Sequence, residues 1–501
     1  MSPSAPSGGD AAVSVQLRSG VYADSVKLMQ VSRRIGAREG VSAVLVAMAT
    51  PLNLELAAGM GLAPDEQPSP EQLLIAVRAV DDETLADALA DVDAALAERE
   101  RSTGTAAAIP HRTIGAGLDE LSPEAPALAI VSVPGRHAVA EAADAIAAGR
   151  SVLVFSDGVP VEHEVALKRA ARNAGVLVMG PDCGTAIVSG VALGFANVVR
   201  PGPVGLVAAS GTGAQQVSCL LDMAGVGVSH VLGVGGRDLK EEVGGLATLD
   251  ALAALDADPA TERVLLVSKP PAPSVAAAVT DAAAQLSVPV RSAVLSPESP
   301  DLTAAVEALL ADMGLDVPVW PSRPGPAEAA VPGAALKGLY SGGTLADEAM
   351  LVAGPALGGI RSNIPLRPEL DLGTDLSAPG HLVIDFGDDA LTVGRAHPMI
   401  DPTLRLEAIE ALATSDEPAV LLLDVVLGYG ADPDPAAALV PALTAARARR
   451  SLPVVVALIG TEGDPQGWSG QADALAAAGC AVFSSNAAAT RYALDLLGAS
   501  A

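Results

Sequence analysis

Two short turns of this 501-residue chain carry residue types that could hold an anion. They are Ser210-Gly211-Thr212-Gly213 and Ser341-Gly342-Gly343-Thr344, and each lies between an apolar strand-like run and an apolar helical segment. Such a turn leaves backbone N–H groups free at the positive end of the helix it opens. Each turn is a candidate phosphate or carboxylate site, and two helix starts facing one another would form one strong site. The alternative is that Ser and Thr act only as helix caps.

Three charged residues follow predicted strands, where α/β sheets usually place ligands. Lys269 follows the predicted strand Val264 to Val267 after one intervening serine and could attract an anion. A solvated surface lysine is the alternative. Arg237 and Asp238 lie in a glycine turn after another predicted strand and could bind substrate. An internal salt bridge is the alternative for this pair.

A second group of candidates lies further along the chain. Arg395 could bind a carboxylate through its planar guanidinium group, and His397 could move a proton near neutral pH. His397 precedes a proline and could instead be a residue that leads into a helix. Three acidic residues just before this pair could bind Mg²⁺ or be solvated helix caps: Asp385, Asp388 and Asp389.

Composition excludes several classes of partner. The chain has 59 Asp and Glu against 30 Lys and Arg, a formal charge of -29, and no basic cluster, so we expect no nucleic-acid partner. Its apolar runs have the length of strands, and no basic region precedes an apolar one at the N-terminus, so we expect no membrane partner. The three cysteines and six histidines show no metal-ligand spacing. These features predict a cytoplasmic protein.

Short Val, Ile and Leu runs alternate with helical patterns, which predicts an α/β fold built on largely parallel sheets. Boundaries near Asn197 and within Pro321 to Ala335 predict three domains, at residues 1–197, 198–325 and 334–501. One Rossmann-type sheet is predicted for the first domain, with an exposed excursion over Glu98 to Pro126. Its predicted strands are Val13 to Leu17, Ala43 to Met48, Ala127 to Val131, Val152 to Phe155 and Val176 to Met179.

The second and third domains are predicted to be copies of one plan. Each reads as a strand, one of the two anion-binding turns, a helix, a strand, a glycine-containing turn, a helix and two further strands. A repeat of this kind implies a pseudo-twofold pairing that could bring both helix starts to one interface.

Several motifs resemble the succinyl-CoA synthetase superfamily. Gly180-Pro181-Asp182-Cys183, Gly205 to Thr212 and Gly233-Val234-Gly235-Gly236 resemble its α subunit, and the third domain resembles the ligase domain of its β subunit. Through Gly194 to Val198 and Gly394 to Arg405 the chain is similar to the fused FdrA family, often labelled acyl-CoA synthetase. The resemblance implies a Rossmann-like CoA-binding-type domain followed by two flavodoxin-like ligase domains, without an ATP-grasp domain.

The chain departs from that superfamily in its phosphoryl chemistry. The superfamily carries a phosphoryl group on a histidine after the last strand of the α ligase domain, yet Arg291 to Pro321 contains no histidine. Its supporting glutamate would align with Ser268-Lys269-Pro270, so an acid is replaced by a base. We therefore expect the chain to hold phosphate without relaying it.

The resemblance implies a subunit of an oxamate carbamoyltransferase in allantoin and purine nitrogen catabolism. Carbamoyl phosphate, or another small phosphorylated or carboxylate substrate, is then the expected ligand, with other subunits and a homo-oligomer as expected partners. One alternative is an acyl-CoA synthetase that depends on partner subunits for its ATP chemistry. Another is a non-enzymatic scaffold that binds a nucleotide or acyl-CoA. No cofactor is assigned with certainty; CoA, a nucleotide or Mg²⁺ are the candidates.

Overall fold

The computed structural model describes residues 12–19, 25–36, 38, 40–64, 66, 68–69, 72–97, 111, 113–122, 126–325, 330–373, 375–392 and 395–499. The chain divides into two compact units. The first comprises Met1–Pro110 with Asp389–Ala396, and the second comprises His111–Asp388 with His397–Ala501. None of the described helices is both long and apolar enough to cross a lipid bilayer.

The first unit is built on a three-stranded antiparallel sheet of order β1-β3-β2. Its elements are β1 (Ala12–Arg18), α1 (Ser25–Gly36), β2 (Val41–Met48), α2 (Pro51–Gly59), β3 (Leu73–Ala79) and α3 (Asp82–Ala97). Since β1 and β2 both run antiparallel to the central β3, they are parallel to each other. This is the split βαβ arrangement of ferredoxin-like folds.

The single Rossmann-type sheet predicted for residues 1–197 is therefore wrong. The five predicted strands of this segment fall in two separate sheets, and β3 was not among the predicted strands. The predicted excursion over Glu98 to Pro126 lies largely outside the described residues, although Ile114–Leu118 forms a short helix, α4.

The second unit begins with a small parallel sheet of order β4-β5-β6. Its strands are β4 (Leu128–Val131), β5 (Ser151–Val154) and β6 (Val178–Met179), and the helices α5 (Gly135–Ala147) and α6 (Val161–Ala174) connect them. Alanines of α5 pack on β4 and β5, because small side chains allow close helix–sheet contact.

The next sheet has the order β12-β11-β9-β10-β7-β8, in which β12, β11, β9 and β10 are parallel. Its elements are β7 (Thr185–Val188), β8 (Val191–Gly194), β9 (Pro201–Ala208), α7 (Gly211–Met223), β10 (Val228–Gly233), α8 (Leu246–Ala257), β11 (Arg263–Ser268), α9 (Pro273–Ala283), β12 (Val290–Val294) and α10 (Leu302–Asp312).

The last sheet has the order β13-β18-β17-β16-β14-β15, and all but β13 are parallel. Its strands are β13 (Ser322–Arg323), β14 (Ala335–Tyr340), β15 (Leu382–Asp385), β16 (Ala419–Val426), β17 (Val454–Ile459) and β18 (Ala481–Phe483). The helices that follow β14 are α11 (Gly343–Leu357), the 3-10 helix Pro368–Leu370, α12 (Asp389–Thr392, in the first unit), α13 (Thr403–Thr414), α14 (Pro435–Arg449), α15 (Trp468–Ala477) and α16 (Asn486–Leu496).

The two larger sheets share one topology. Numbered within its segment, the last sheet has the parallel order 2-1-3-4-5 of flavodoxin-like folds, and the preceding sheet has 2-1-3-4 in its parallel part. In both, a central strand, β9 or β14, leads directly into the helix that begins at a predicted anion-binding turn. The α/β class and the mainly parallel sheets are confirmed. The domain boundaries at 197/198 and 325/334 stay predictions.

Candidate functional site

The two predicted turns meet. Ser210 is the N-cap of α7, and its Oγ accepts a hydrogen bond from the Gly213 N–H at 3.0 Å. The same Oγ lies 2.6 Å from Oγ1 of Thr344 in the first turn of α11. A Cβ added to Gly342 would lie 2.6 Å from Cγ2 of Thr212, so only glycine fits there without a shift. Ser210 is thus a helix cap and also links the two helix starts.

The donors at the two turns have different surroundings. The N–H groups of Ser341 and Gly342 donate to the carboxylate of Asp424 at 2.7 and 2.9 Å, and the Ser341 hydroxyl donates to it at 2.9 Å. Gly211 is exposed and Gly343 is half-exposed, so the first residues of both helices reach solvent. Since Ser341 and Gly342 already bind an internal carboxylate, the structure corrects their predicted role as phosphate donors.

Asp424 and Arg405 form a buried charged pair that the sequence reasoning missed. Asp424 is fully buried, Arg405 is 3% exposed, and Nη2 of Arg405 lies 3.4 Å from Oδ1 of Asp424. Burial raises the pKa of Asp424, while Arg405 and the N–H donors oppose that shift. The signal was present in the sequence, because an acid within the apolar run of β16 has to find a partner.

Asp385 lies beside the start of α11. A Cβ on Gly343 would lie 2.6 Å from its Oδ2, and its Oδ1 accepts the Gly387 N–H at 2.9 Å. Burial raises the pKa of Asp385 to about 7, and the nearby Asp424 adds to the shift while the Gly387 N–H opposes it. This carboxyl group can therefore hold a proton near neutral pH.

His397 shares the space in front of Gly387 with Asp385. A Cβ on Gly387 would lie 2.8 Å from Nε2 of His397 and 3.1 Å from Oδ1 of Asp385. Nδ1 of His397 accepts the Met399 N–H at 3.3 Å. Burial, with the charge of Arg405, lowers the pKa of His397 to about 4, so its imidazole is neutral at pH 7. Because Nδ1 accepts a hydrogen bond, Nε2 carries the ring hydrogen and is a donor.

A chain of contacts links His397 to the start of α7. The imidazole ring lies 5.5 Å from the ring of Phe195, between centroids. The Phe195 carbonyl accepts a hydrogen bond from Oγ1 of Thr185 at 2.9 Å, and that Oγ1 would lie 3.6 Å from a Cβ on Gly211. Both helix starts, Asp385 and His397 thus belong to one locality.

Arg395 belongs to the compact unit of Met1–Pro110 and Asp389–Ala396. It is half-buried, and its backbone N–H donates to the Thr392 carbonyl at 3.0 Å. Val393 and Gly394 of the same motif lie outside the described residues. The catalytic role of Arg395 stays a prediction.

Lys269 bridges the two repeats. Its Nζ lies 2.6 Å from Oδ2 of Asp347 on α11. The lysine side chain is 48% exposed, whereas that of Asp347 is 9% exposed. Burial raises the pKa of Asp347, and Lys269 opposes that shift. Lys269 is thus an ion-pair partner near the start of α11, and its use toward an external anion stays a prediction.

Arg237 and Asp238 take part in an internal network. Both carboxylate oxygens of the fully buried Asp238 have partners, with Oδ1 2.7 Å from Nζ of Lys168 and Oδ2 accepting the Thr248 N–H and hydroxyl. Arg237 donates to the Val159 carbonyl and lies 2.9 Å from Glu164. These contacts favour the internal salt bridge over the predicted substrate-binding role.

The possible Mg²⁺ site gains no support from side-chain geometry. Across the described ranges, no group of three or more His, Cys, Asp or Glu side chains is arranged to hold a metal ion.

Two family matches cover separate parts of the chain. The CoA-ligase family matches residues 339–496, which include α11, Asp385, His397 and Asp424. The family described as "AllF, heavy metal-associated domain" matches residues 11–110. That range contains neither cysteine nor histidine, the usual ligands of soft and borderline metals, so its residues do not fit a heavy-metal site.

Among curated proteins, the uncharacterised protein YahF of Escherichia coli K12 is 36% identical over 512 residues, covering 95% of this chain and 96% of YahF. The malate–CoA ligase subunit alpha of Methylorubrum extorquens is 32% identical over 26% of this chain and 45% of its own length. The succinate–CoA ligase subunit alpha 1 of Archaeoglobus fulgidus is 33% identical over 28% of this chain and 48% of its own. This chain belongs to the same family as YahF, an FdrA-type branch of the CoA-ligase superfamily.

Proposed function

We propose that this chain is an FdrA-type subunit of a carbamoyltransferase and holds the phosphate of carbamoyl phosphate at the first turns of α7 and α11. The observation that carries the proposal is the 2.6 Å contact between Ser210 and Thr344, which brings two helix starts together. Two positive helix ends favour an anion where an acidic chain would otherwise repel it.

The residues of this locality have roles that fit carbamoyl transfer. The nitrogen of an acceptor such as oxamate attacks the carbamoyl carbon, and the bond from that carbon to the phosphate oxygen breaks. N–H groups at Gly211, Thr212 and Gly343 stabilise the charge on the departing phosphate. The departing phosphate takes the proton that the acceptor nitrogen loses. The neutral His397, whose Nδ1 accepts the Met399 N–H, donates a hydrogen bond from Nε2 to the carbamoyl oxygen, and Asp385 holds a proton nearby. Other subunits would supply the remaining contacts.

A CoA ligase that works with partner subunits is the second candidate. The CoA-ligase match over residues 339–496 and the similarity to α subunits of CoA ligases favour it, and CoA or a nucleotide would then bind. The absence of a histidine from Arg291 to Pro321 and the Lys269–Asp347 ion pair favour phosphate holding without phosphoryl relay.

Titration calorimetry of the purified chain with carbamoyl phosphate, inorganic phosphate, CoA and ATP, each separately, tests the proposal. Carbamoyl phosphate should bind, and Thr344→Val should weaken it by about fivefold, the equivalent of one hydrogen bond of about 1 kcal/mol. Thr303→Val is the matched control, because it removes a similar hydroxyl contact, 2.7 Å to Ser485, away from the two turns.

Each outcome has a distinct meaning. Equal weakening by both valine variants, or no carbamoyl phosphate binding at all, would overturn the proposed phosphate site. Binding of CoA or ATP without carbamoyl phosphate would favour the ligase.

A further inference from the structure

A cavity of about 560 Å³ lies between α11, α16 and the loop that follows β12. Glu348, Leu351 and Val352 line it from one face of α11, at the spacing of successive helical turns. Arg491 and Asp495 line it from α16. This volume falls within the range of small-molecule sites.

The polar lining of the cavity is rich in acceptors. It includes the carboxylates of Asp301, Glu348 and Asp495, and the one basic side chain among its described lining residues is Arg491. Arg491 is already paired with Asp301. The lining therefore has three carboxyl groups against one guanidinium group.

A proline in α11 adds one more acceptor. Pro355 lies inside the helix and has no N–H, so the carbonyl of Leu351, four residues earlier, lacks its helical donor. Leu351 and Pro355 both line the cavity, as do the apolar side chains of Leu295, Val352 and Leu494. The lining thus combines acceptors and negative charge with an apolar wall.

We propose that this cavity binds a small aliphatic amine in its ammonium form, with the charged group at the carboxylates and the hydrocarbon body against Leu351, Val352 and Leu494. An ammonium group donates three hydrogen bonds and accepts none, which matches this lining. A carboxylate or phosphate ligand would meet three acids and a single arginine that is already paired.

Glu348 gives the proposal a measurable signature. Its Oε1 accepts the Leu302 N–H and its Oε2 accepts Nδ2 of Asn486, both at 2.7 Å. Burial raises the pKa of Glu348 to about 7; these hydrogen bonds and Arg491 oppose the shift, and Asp301 adds to it. A bound ammonium group would lower that pKa, so binding at pH 7 should release about half a proton.

The test is titration calorimetry of the full chain with butylammonium, 1-butanol and butyrate, which differ mainly in their polar group. Measurements at pH 7 and 150 mM salt, in PIPES and in HEPES, separate proton release from binding. Butylammonium should bind at least tenfold more tightly than 1-butanol, and butyrate should bind no better than 1-butanol.

Variants locate the site. Val352→Trp, which fills the cavity, and Asp495→Asn should each weaken butylammonium by at least fivefold, and Glu348→Gln should abolish the proton release. Asp312→Asn removes an exposed acid at the other end of α10 and should have no effect. Equal binding of amine and alcohol, or amine binding that survives Val352→Trp and Asp495→Asn, would overturn the proposal. If Asp312→Asn also lost butylammonium binding, the amine would be attracted by the acidic surface in general, and the proposed cavity site would be overturned.

Discussion

Replacing Gly342 by alanine should disturb the contact between the two helix starts. The new Cβ would lie 2.6 Å from Cγ2, 2.7 Å from Oγ1 and 2.8 Å from Cβ of Thr212. Carbon atoms in contact are normally about 3.5–4.0 Å apart, so one helix start has to move by about 1 Å. Gly342 itself has φ -120° and ψ 112°, which alanine adopts freely, so the cost arises from the overlap alone.

Overlap of this kind should lower the free energy of unfolding by about 1–3 kcal/mol. Thr212→Gly removes all three overlapping atoms and by itself should cost about 0.3–0.5 kcal/mol, because glycine forms helices somewhat less readily than threonine. In the double variant Thr212→Gly/Gly342→Ala the overlap is gone. The double variant should therefore lose about 1–3 kcal/mol less unfolding free energy than the sum of the losses in the two single variants.

Urea unfolding followed by tryptophan fluorescence suits this cycle, because Trp320 and Trp468 both lie in the second compact unit and are the two tryptophans of the chain. Gly354→Ala on α11 is the control. Nothing lies within 4 Å of its added Cβ, so it should be neutral or stabilising by up to about 1 kcal/mol. Strict additivity in the cycle, or a neutral Gly342→Ala, would refute the described contact between the turns.

Three further predictions concern charged groups near the turns. Lys269→Met should lower the unfolding free energy by about 1–2 kcal/mol, because it leaves the mostly buried Asp347 without its cation, and calorimetry should show recovery in Lys269→Met/Asp347→Asn. The His397 ring resonances should stay constant in NMR spectra from pH 8 to 5.5. His397 takes up a proton near pH 6.5 in the unfolded chain and near pH 4 in the folded one. The free energy of unfolding should therefore fall as the pH drops from 6.5 toward 4, and it should fall less in His397→Gln. Asp385 should show a protonated-carboxyl infrared band, absent from Asp385→Asn, that is present at pH 6 and lost at pH 8. Because its folded pKa is raised, its contribution to stability is full below about pH 4 and declines as the pH rises toward 7. A titrating His397 resonance near pH 6.5, or no band for Asp385, would contradict the described burial.

The repeated ligase-like segments could be predicted from the sequence because their signals are local. Apolar runs mark β9, β14 and β16, and the glycine turns mark the starts of α7 and α11. The prediction that these two helix starts pair came from the repeated order of the elements. The contact itself depends on packing between residues 134 positions apart, which no local pattern contains.

The first unit shows where local patterns are insufficient. Leu73–Ala79 is apolar apart from Arg78, and periodicity alone does not distinguish a buried strand from a buried helical segment. Its antiparallel pairing with β1 and β2 is a non-local choice, so the strands were wrongly assigned to one parallel sheet.

Near the two turns, the sequence predicted roles for Ser210, Thr344 and His397, which stay predictions, but it did not indicate the internal acceptor of the second turn. Asp424 lies 83 residues after Ser341, and only folding brings its carboxylate to that N–H group. Asp385 was considered as a metal ligand or a solvated helix cap. Its raised pKa depends on burial, which composition and spacing do not reveal.

The approach of α7 and α11 takes place within a single polypeptide. A site assembled from separate subunits separates on dilution, since its occupancy follows the concentration of both partners. Here one continuous chain carries both helix starts, which fixes a high effective concentration of one near the other. The geometry of the two turns should therefore be the same at nanomolar and at millimolar protein concentration. Each molecule also carries one copy of each turn, because both are synthesised as one chain.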